Sequence, residues 1–113
     1  MSLLDKEHSE FLYLLAVLYI QQSKFNLALY LLRVLSVHHE KNVRISLALA
    51  VCLYRTKRFK KAQSVLAELD ETALSPEFRA PFFYTNSKIL WELDQKNEAR
   101  EYLQRYLEAR RTV

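Results

Sequence analysis

Few side chains in this chain could do covalent or metal chemistry. Cys52 is the only cysteine, and His8, His38 and His39 are the only histidines among 113 residues. A nucleophilic cysteine needs a neighbouring base and an electropositive setting. Cys52 instead lies in the apolar stretch Leu49 to Leu53 and reads as core. Zinc needs three or four ligands brought together. His38 and His39 are adjacent, point two ways at a helix end and have no cysteine set near them, so no metal is expected. The chain has no glycine, which removes any glycine-rich phosphate loop. Neither a catalytic residue nor a cofactor follows, and an enzyme is not expected.

What remains is recognition chemistry. Arg55, Lys57, Arg58, Lys60 and Lys61 put five cations into seven residues. The run reads as a solvated turn or as a second docking surface for an acidic protein. Nucleic acid is the weaker reading, because the run is short and only Phe59 interleaves to stack on a base. A net charge of +4, from 17 basic and 13 acidic residues, is mild. The lone cysteine fits a reducing, cytosolic setting. No apolar run reaches membrane-spanning length, since the longest, Leu12 to Ile20, is broken by tyrosines. The opening residues lack the basic and apolar regions of a signal peptide.

The chain's periodicity says what positions these residues. Phe25 recurs as Phe59, Ala28 as Ala62, Leu32 as Leu66 and Leu35 as Leu69, each 34 residues on. Upstream, Leu15, Ala16 and Val17 recur as Leu49, Ala50 and Val51. This period marks a helix-turn-helix repeat. One unit cannot bury its apolar face alone, so copies stack into a curved array, whose usual role is to hold another polypeptide. Composition agrees with an all-α fold. There are only two prolines, Pro76 and Pro81, and none of the glycine that sheet proteins use at turns.

Six helices in three pairs are predicted, at about 5–22, 25–37, 43–54, 59–70, 76–93 and 97–110. Phe11, Leu14, Leu15, Leu18 and Tyr19 give the first its apolar spacing. The third pair breaks the period, because the counterpart of Ala62 is Ala99, 37 residues on. The extra residues fit in Glu71 to Ser75. Ser75 reads as a helix cap and Pro76 as the first helical residue. Pro81 should kink the fifth helix or restart it, since it removes a backbone donor.

The repeat resembles the tetratricopeptide repeat over essentially the whole chain. The resemblance implies one domain of three tandem hairpins, at about 8–41, 42–75 and 80–113, forming a short right-handed superhelix. Ala16, Ala50 and Ser87 fit the small position of the first helix of each unit, and Ala28, Ala62 and Ala99 that of the second. Leu32, Leu66 and Leu103 fit the large residue that closes the core. Phe25 and Phe59 open the second helix of their units, where the third has Lys96. The tryptophan and glycine usual in the first helix are missing. Such arrays line their concave face with the first helix of each pair, which assigns Glu10, Tyr13, Val17, Ile20 and Gln21, then Arg44, Leu47, Val51, Tyr54 and Arg55, then Tyr84, Lys88, Trp91 and Glu92. Eight of these fourteen are aromatic or aliphatic: Tyr13, Val17, Ile20, Leu47, Val51, Tyr54, Tyr84 and Trp91. An apolar groove rimmed by charge suits an amphipathic partner helix, with Lys88 beside the aromatic anchors. The last helix adds Tyr102, Leu103, Tyr106 and Leu107, more apolar surface than one contact face needs, which implies a cover by another chain or self-association.

The sequence also resembles one particular class of small tetratricopeptide proteins, the Y-type chaperones of bacterial type III secretion, the YscY (SctY) family. Glu10-Phe11-Leu12, Leu14, Leu18, Gln21, Ala28, Leu31-Leu32 and Leu35 carry the match at one end. Ala99-Arg100, Gln104 and Tyr106-Leu107-Glu108 carry it at the other. Glu71 to Asn86 aligns poorly, and Ala16 and Ser23 stand where the family has glycine. The resemblance implies a bacterial cytosolic chaperone that binds a small secreted partner, the X-type protein, as a 1:1 heterodimer. It further implies docking of that pair on the cytoplasmic domain of the export-gate protein, without insertion into the membrane. The needle-subunit chaperones of the same machines are a sister class of similar size, and a generic adaptor is the broader alternative.

Overall fold

The computed structural model describes residues 5–111. They form α1 (Lys6–Gln21), α2 (Phe25–His38), α3 (Val43–Arg55), α4 (Phe59–Ala67), α5 (Pro76–Glu92) and α6 (Lys96–Arg111), with a 3-10 turn at Glu71–Ala73. There is no strand among the described residues. α1 packs on α2, α3 on α4 and α5 on α6, and each hairpin stacks on the next through α2 with α3 and α4 with α5. The 3-10 turn takes up the residues that break the repeat period.

The small residues that recur in the sequence are what let the helices approach. Ala16, Ala28, Ala50, Ala62, Ala99 and Ser87 are all buried. Around them Leu29, Leu32, Leu35, Leu49, Cys52, Leu53, Leu66 and Ile89 form one continuous core. Burial of this kind is worth about 25 cal/mol per Å² of apolar surface removed from water, and it holds short helices that would be marginal alone.

Three turns join the helices within hairpins, and all three are built alike. Ser23, Lys57 and Asp94 each take a left-handed backbone, with φ of 60°, 64° and 62°. The residue after each donates its amide back to the preceding helix: Lys24 to Tyr19, Arg58 to Leu53 and Gln95 to Leu90, at 2.7–2.9 Å. This is the helix stop at which glycine is usual, because a Cβ is strained in that conformation. The chain makes it three times with no glycine at all.

One expectation needs correction, and three further features refine the reading. Leu103 does not close a core as Leu32 and Leu66 do. It is 43% exposed where Leu66 is 1% exposed. Leu32 and Leu66 are covered by the first helix of the following hairpin, and no described helix follows α6. Phe11, Leu14 and Leu18, three of the apolar positions that mark α1 in the sequence, do not pack inward. They form a stripe on the side of α1 opposite Ala16 and are exposed, Phe11 to 64%. Pro81 does not restart α5, which runs through it without a break. The carbonyl that loses its partner belongs to Glu77, an exposed residue, so water can satisfy it. Ser75 stands at the cap position but its side chain makes no capping bond, and its carbonyl accepts from the Phe78 amide instead.

Candidate functional site

α1, α3 and α5 lie in a row, so side chains from three successive hairpins share one face. Cations and rings pair along it, and the pairs cross from one hairpin to the next. The Arg44 guanidinium of α3 sits 4.2 Å from the Tyr13 ring centre on α1. Arg55, at the end of α3, sits 4.8 Å from the ring of Phe25, which opens α2. The Lys88 ammonium of α5 lies 5.0 Å from the Tyr54 ring of α3 and 5.1 Å from the Tyr84 ring of its own helix. Each such contact contributes about 0.5–1 kcal/mol at a solvated site. Tyr13, by hydrogen bonding, and then Glu10 raise the pKa of Arg44 above its ordinary value.

At the end of this row a cleft of about 290 Å³ opens between α3, α5 and α6. Tyr54, Tyr84, Lys88, Trp91, Arg100 and Leu103 form most of its wall, with Ser87, Glu92 and Ala99 completing it. Residues 84, 88 and 91 fall on one side of α5 because helical neighbours recur every three or four positions. Tyr84 and Trp91 remain 42% and 47% exposed. Tyr106 of α6 supports Tyr84 with ring centres 4.9 Å apart. Two cations stand over Trp91, Lys96 at 4.0 Å and Arg100 at 6.0 Å. Lys96, which replaces the aromatic that opens α2 and α4, therefore serves the third hairpin as a cover for Trp91.

Of the residues assigned to the groove from the sequence, Tyr54, Tyr84, Lys88 and Trp91 meet in this cleft. Tyr13 lies at the far end of the row, in a separate hollow of about 260 Å³ with Glu10, Arg44 and His39. Val17, Ile20 and Val51 are half-buried. Leu47 corrects the assignment: it is only 8% exposed, because α3 is packed by helices on several sides, and it belongs to the core. Leu103 and Arg100 line the groove without being assigned to it from the sequence, and Lys96 covers its Trp91. Their signal was a spacing on α6 of three or four residues, in a helix that no further hairpin was assigned to cover.

The basic run does not act as one surface. Arg55 turns back onto Phe25, Lys57 is the left-handed turn residue and Arg58 precedes α4. Lys60 and Lys61 point elsewhere, into a shallow cleft with Arg33, Leu49, Leu53 and Val65. Among the other polar candidates, burial pushes the Cys52 thiol up to about 11, which leaves it protonated and unreactive at neutral pH. His8 meets Asp5 at 2.8 Å and His39 meets Ser9 at 2.8 Å. No three His, Cys, Asp or Glu side chains converge among the described residues.

A family model described as tetratricopeptide repeat matches residues 20–81, more than half of the chain. The chain belongs to the tetratricopeptide repeat family. No curated protein and no solved structure matches it. The matched residues run from the end of α1 into α5, so they include the two Phe-opened helices and both turns at Ser23 and Lys57. A tetratricopeptide array is a protein-binding scaffold, and its exposed aromatic and aliphatic face is what such a scaffold offers a polypeptide. No helix among the described residues is long and apolar enough to cross a membrane.

Proposed function

We propose that this tetratricopeptide protein is a cytosolic chaperone of a bacterial type III secretion system. It binds a small secreted protein of the X type, 1:1, in the groove that ends at Tyr54, Tyr84 and Trp91. It keeps that partner from aggregating and presents it to the cytoplasmic domain of the export gate. The mechanism is sequestration: apolar side chains of the partner occupy the groove, and none of the chain's own residues does covalent chemistry.

The observation that carries the reading is the fate of the residues on which the resemblance to the Y-type chaperones rests. Phe11, Leu14, Leu18 and Leu107 are among them, and all four are exposed. Packing among the described residues gives no reason for large apolar residues there, whereas an interface with a second protein does. The groove supplies a second such surface. Lys60 and Lys61, in their separate cleft, are the part of the basic run left to meet the export gate.

Co-expression with the small proteins encoded beside it, followed by light scattering, tests the proposal. A soluble 1:1 complex is expected, with aggregates or homodimers when the chain is expressed alone. Trp91→Glu should abolish the complex while leaving the helical circular dichroism unchanged. Tyr54→Glu is a poorer probe, since the Tyr54 ring also packs on Phe59 at 5.6 Å. A stable monomer with no partner would leave only the general role of adaptor.

A further inference from the structure

The charge in the cleft of the third hairpin is unbalanced. Lys88 is half-buried between two tyrosine rings and takes part in no ion pair among the described residues, and neither does Arg100 on the facing helix. Glu92 is the single carboxylate on the wall, one turn beyond Lys88, and it pairs with neither. Other groove cations are matched: Arg44 holds Glu10 at 3.3 Å and Lys96 lies 3.8 Å from Asp94. Filling the cleft with an apolar side chain would strip water from the Lys88 ammonium. Desolvating a charge without a counter-charge is strongly unfavourable, whereas a desolvated and paired charge is tolerated.

We infer that the occupant of this cleft is an acidic amphipathic helix. A large apolar side chain of that helix enters between Tyr84, Trp91 and Leu103, and a carboxylate one helical turn away meets Lys88 and Arg100. The inference rests on the groove reading given above and adds the chemical class of the partner. Lys88 is then a specificity residue: it rejects an apolar helix that brings no acid, because the unpaired ammonium would be buried beneath it. The two tyrosine rings hold the ammonium in place before the partner arrives, which lowers the entropy lost on binding.

Trp91 is the chain's only tryptophan and lines the cleft, so its fluorescence reports occupancy directly. The probes are two synthetic helical peptides with identical leucine and phenylalanine positions, one with glutamate and the other with lysine at the flanking polar positions. The glutamate peptide should shift Trp91 emission and bind about tenfold or more tightly than the lysine peptide at low salt. Lys88→Met, checked for unchanged helical content, should remove most of that preference. Equal binding of the two peptides, or a preference unaffected by Lys88→Met, overturns the acidic partner and leaves the groove reading standing. No change in Trp91 emission with either peptide overturns both.

Discussion

Leu66 and Leu103 occupy the same place in their hairpins and have opposite fates. Leu66 is sealed between α4 and α5, while Leu103 lies open beside Trp91. The contrast extends to the first helices. α3 buries Ile45, Leu47, Leu49, Ala50, Cys52 and Leu53 on several sides. α5 buries Phe82, Ile89 and Leu90 together with three polar residues, Thr85, Asn86 and Ser87, and leaves Tyr84 and Trp91 nearly half exposed. Asn86 satisfies itself by donating to the Phe82 carbonyl at 3.3 Å, and Ser87 donates to the Tyr84 carbonyl at 2.7 Å. The middle hairpin is covered from both ends of the stack, so its apolar positions become core. Among the described residues the third is covered from one end, so Tyr84 and Leu103, the counterparts of Leu47 and Leu66, become surface available for binding.

The widest gap between the two regions should appear on truncating those leucines. Leu66→Ala should cost about 2–5 kcal/mol in a urea melt, since it opens a cavity in a packed core. Leu103→Ala should cost about 1 kcal/mol or less, because its side chain already touches water. Similar losses for both would show that the third hairpin is packed as tightly as the second.

A smaller effect tests what pins the third hairpin to the second. The Tyr102 hydroxyl of α6 donates to Glu71 at 2.7 Å, and Arg105 reaches the same carboxylate at 3.4 Å. Tyr102→Phe should lower stability by about 1 kcal/mol. Burial first, and the bond to Glu71 second, push the Tyr102 phenol up to about 12 from an ordinary value of 10.0. A raised phenol pKa stabilises the fold fully below about pH 10 and loses that contribution as pH rises toward 12. The stability difference between the wild type and Tyr102→Phe should therefore shrink across that window. A difference that stays constant to pH 12 would deny the shift.

The turns offer a change in the opposite direction. Lys57→Gly relieves a left-handed residue in the middle hairpin and should raise stability by about 0.5–1 kcal/mol. Asp94→Gly in the third hairpin should gain less, because Asp tolerates that backbone better than Lys. Equal gains would mean that side-chain identity does not matter at this stop. The smallest effect is expected at Lys88, where Lys88→Met removes two cation–ring contacts but keeps an apolar side chain packed against both rings, so the losses are largely offset and the unfolding midpoint should change only slightly. A large loss would make Lys88 a packing residue rather than a binding one.

Much of this was legible in the residues. The recurrence of Ala28 as Ala62 and of Leu32 as Leu66 specified a helix-turn-helix array, because only a fixed register of small and large residues lets such hairpins pack. The break in period at Glu71–Ser75 was legible too, and it became the 3-10 turn. Periodicity identifies the face of a helix but not what covers that face. For that reason the apolar spacing of Phe11, Leu14 and Leu18 did not say that they lie outside, and Leu47 read as groove and lies inside. Likewise a run of five cations in the chain says nothing of direction, and three-dimensional packing sent Arg55 to Phe25 while Lys60 and Lys61 joined Arg33.

The sequence by itself determined the all-α class, the 34-residue unit and the small residues at which its helices touch, since these follow from local spacing. Only the tertiary structure decided which aromatic rings stay in solvent and which cations sit over them. Exposure and pairing depend on neighbours brought from 30 or more residues away, as Arg44 is to Tyr13, Arg55 to Phe25 and Lys88 to Tyr54.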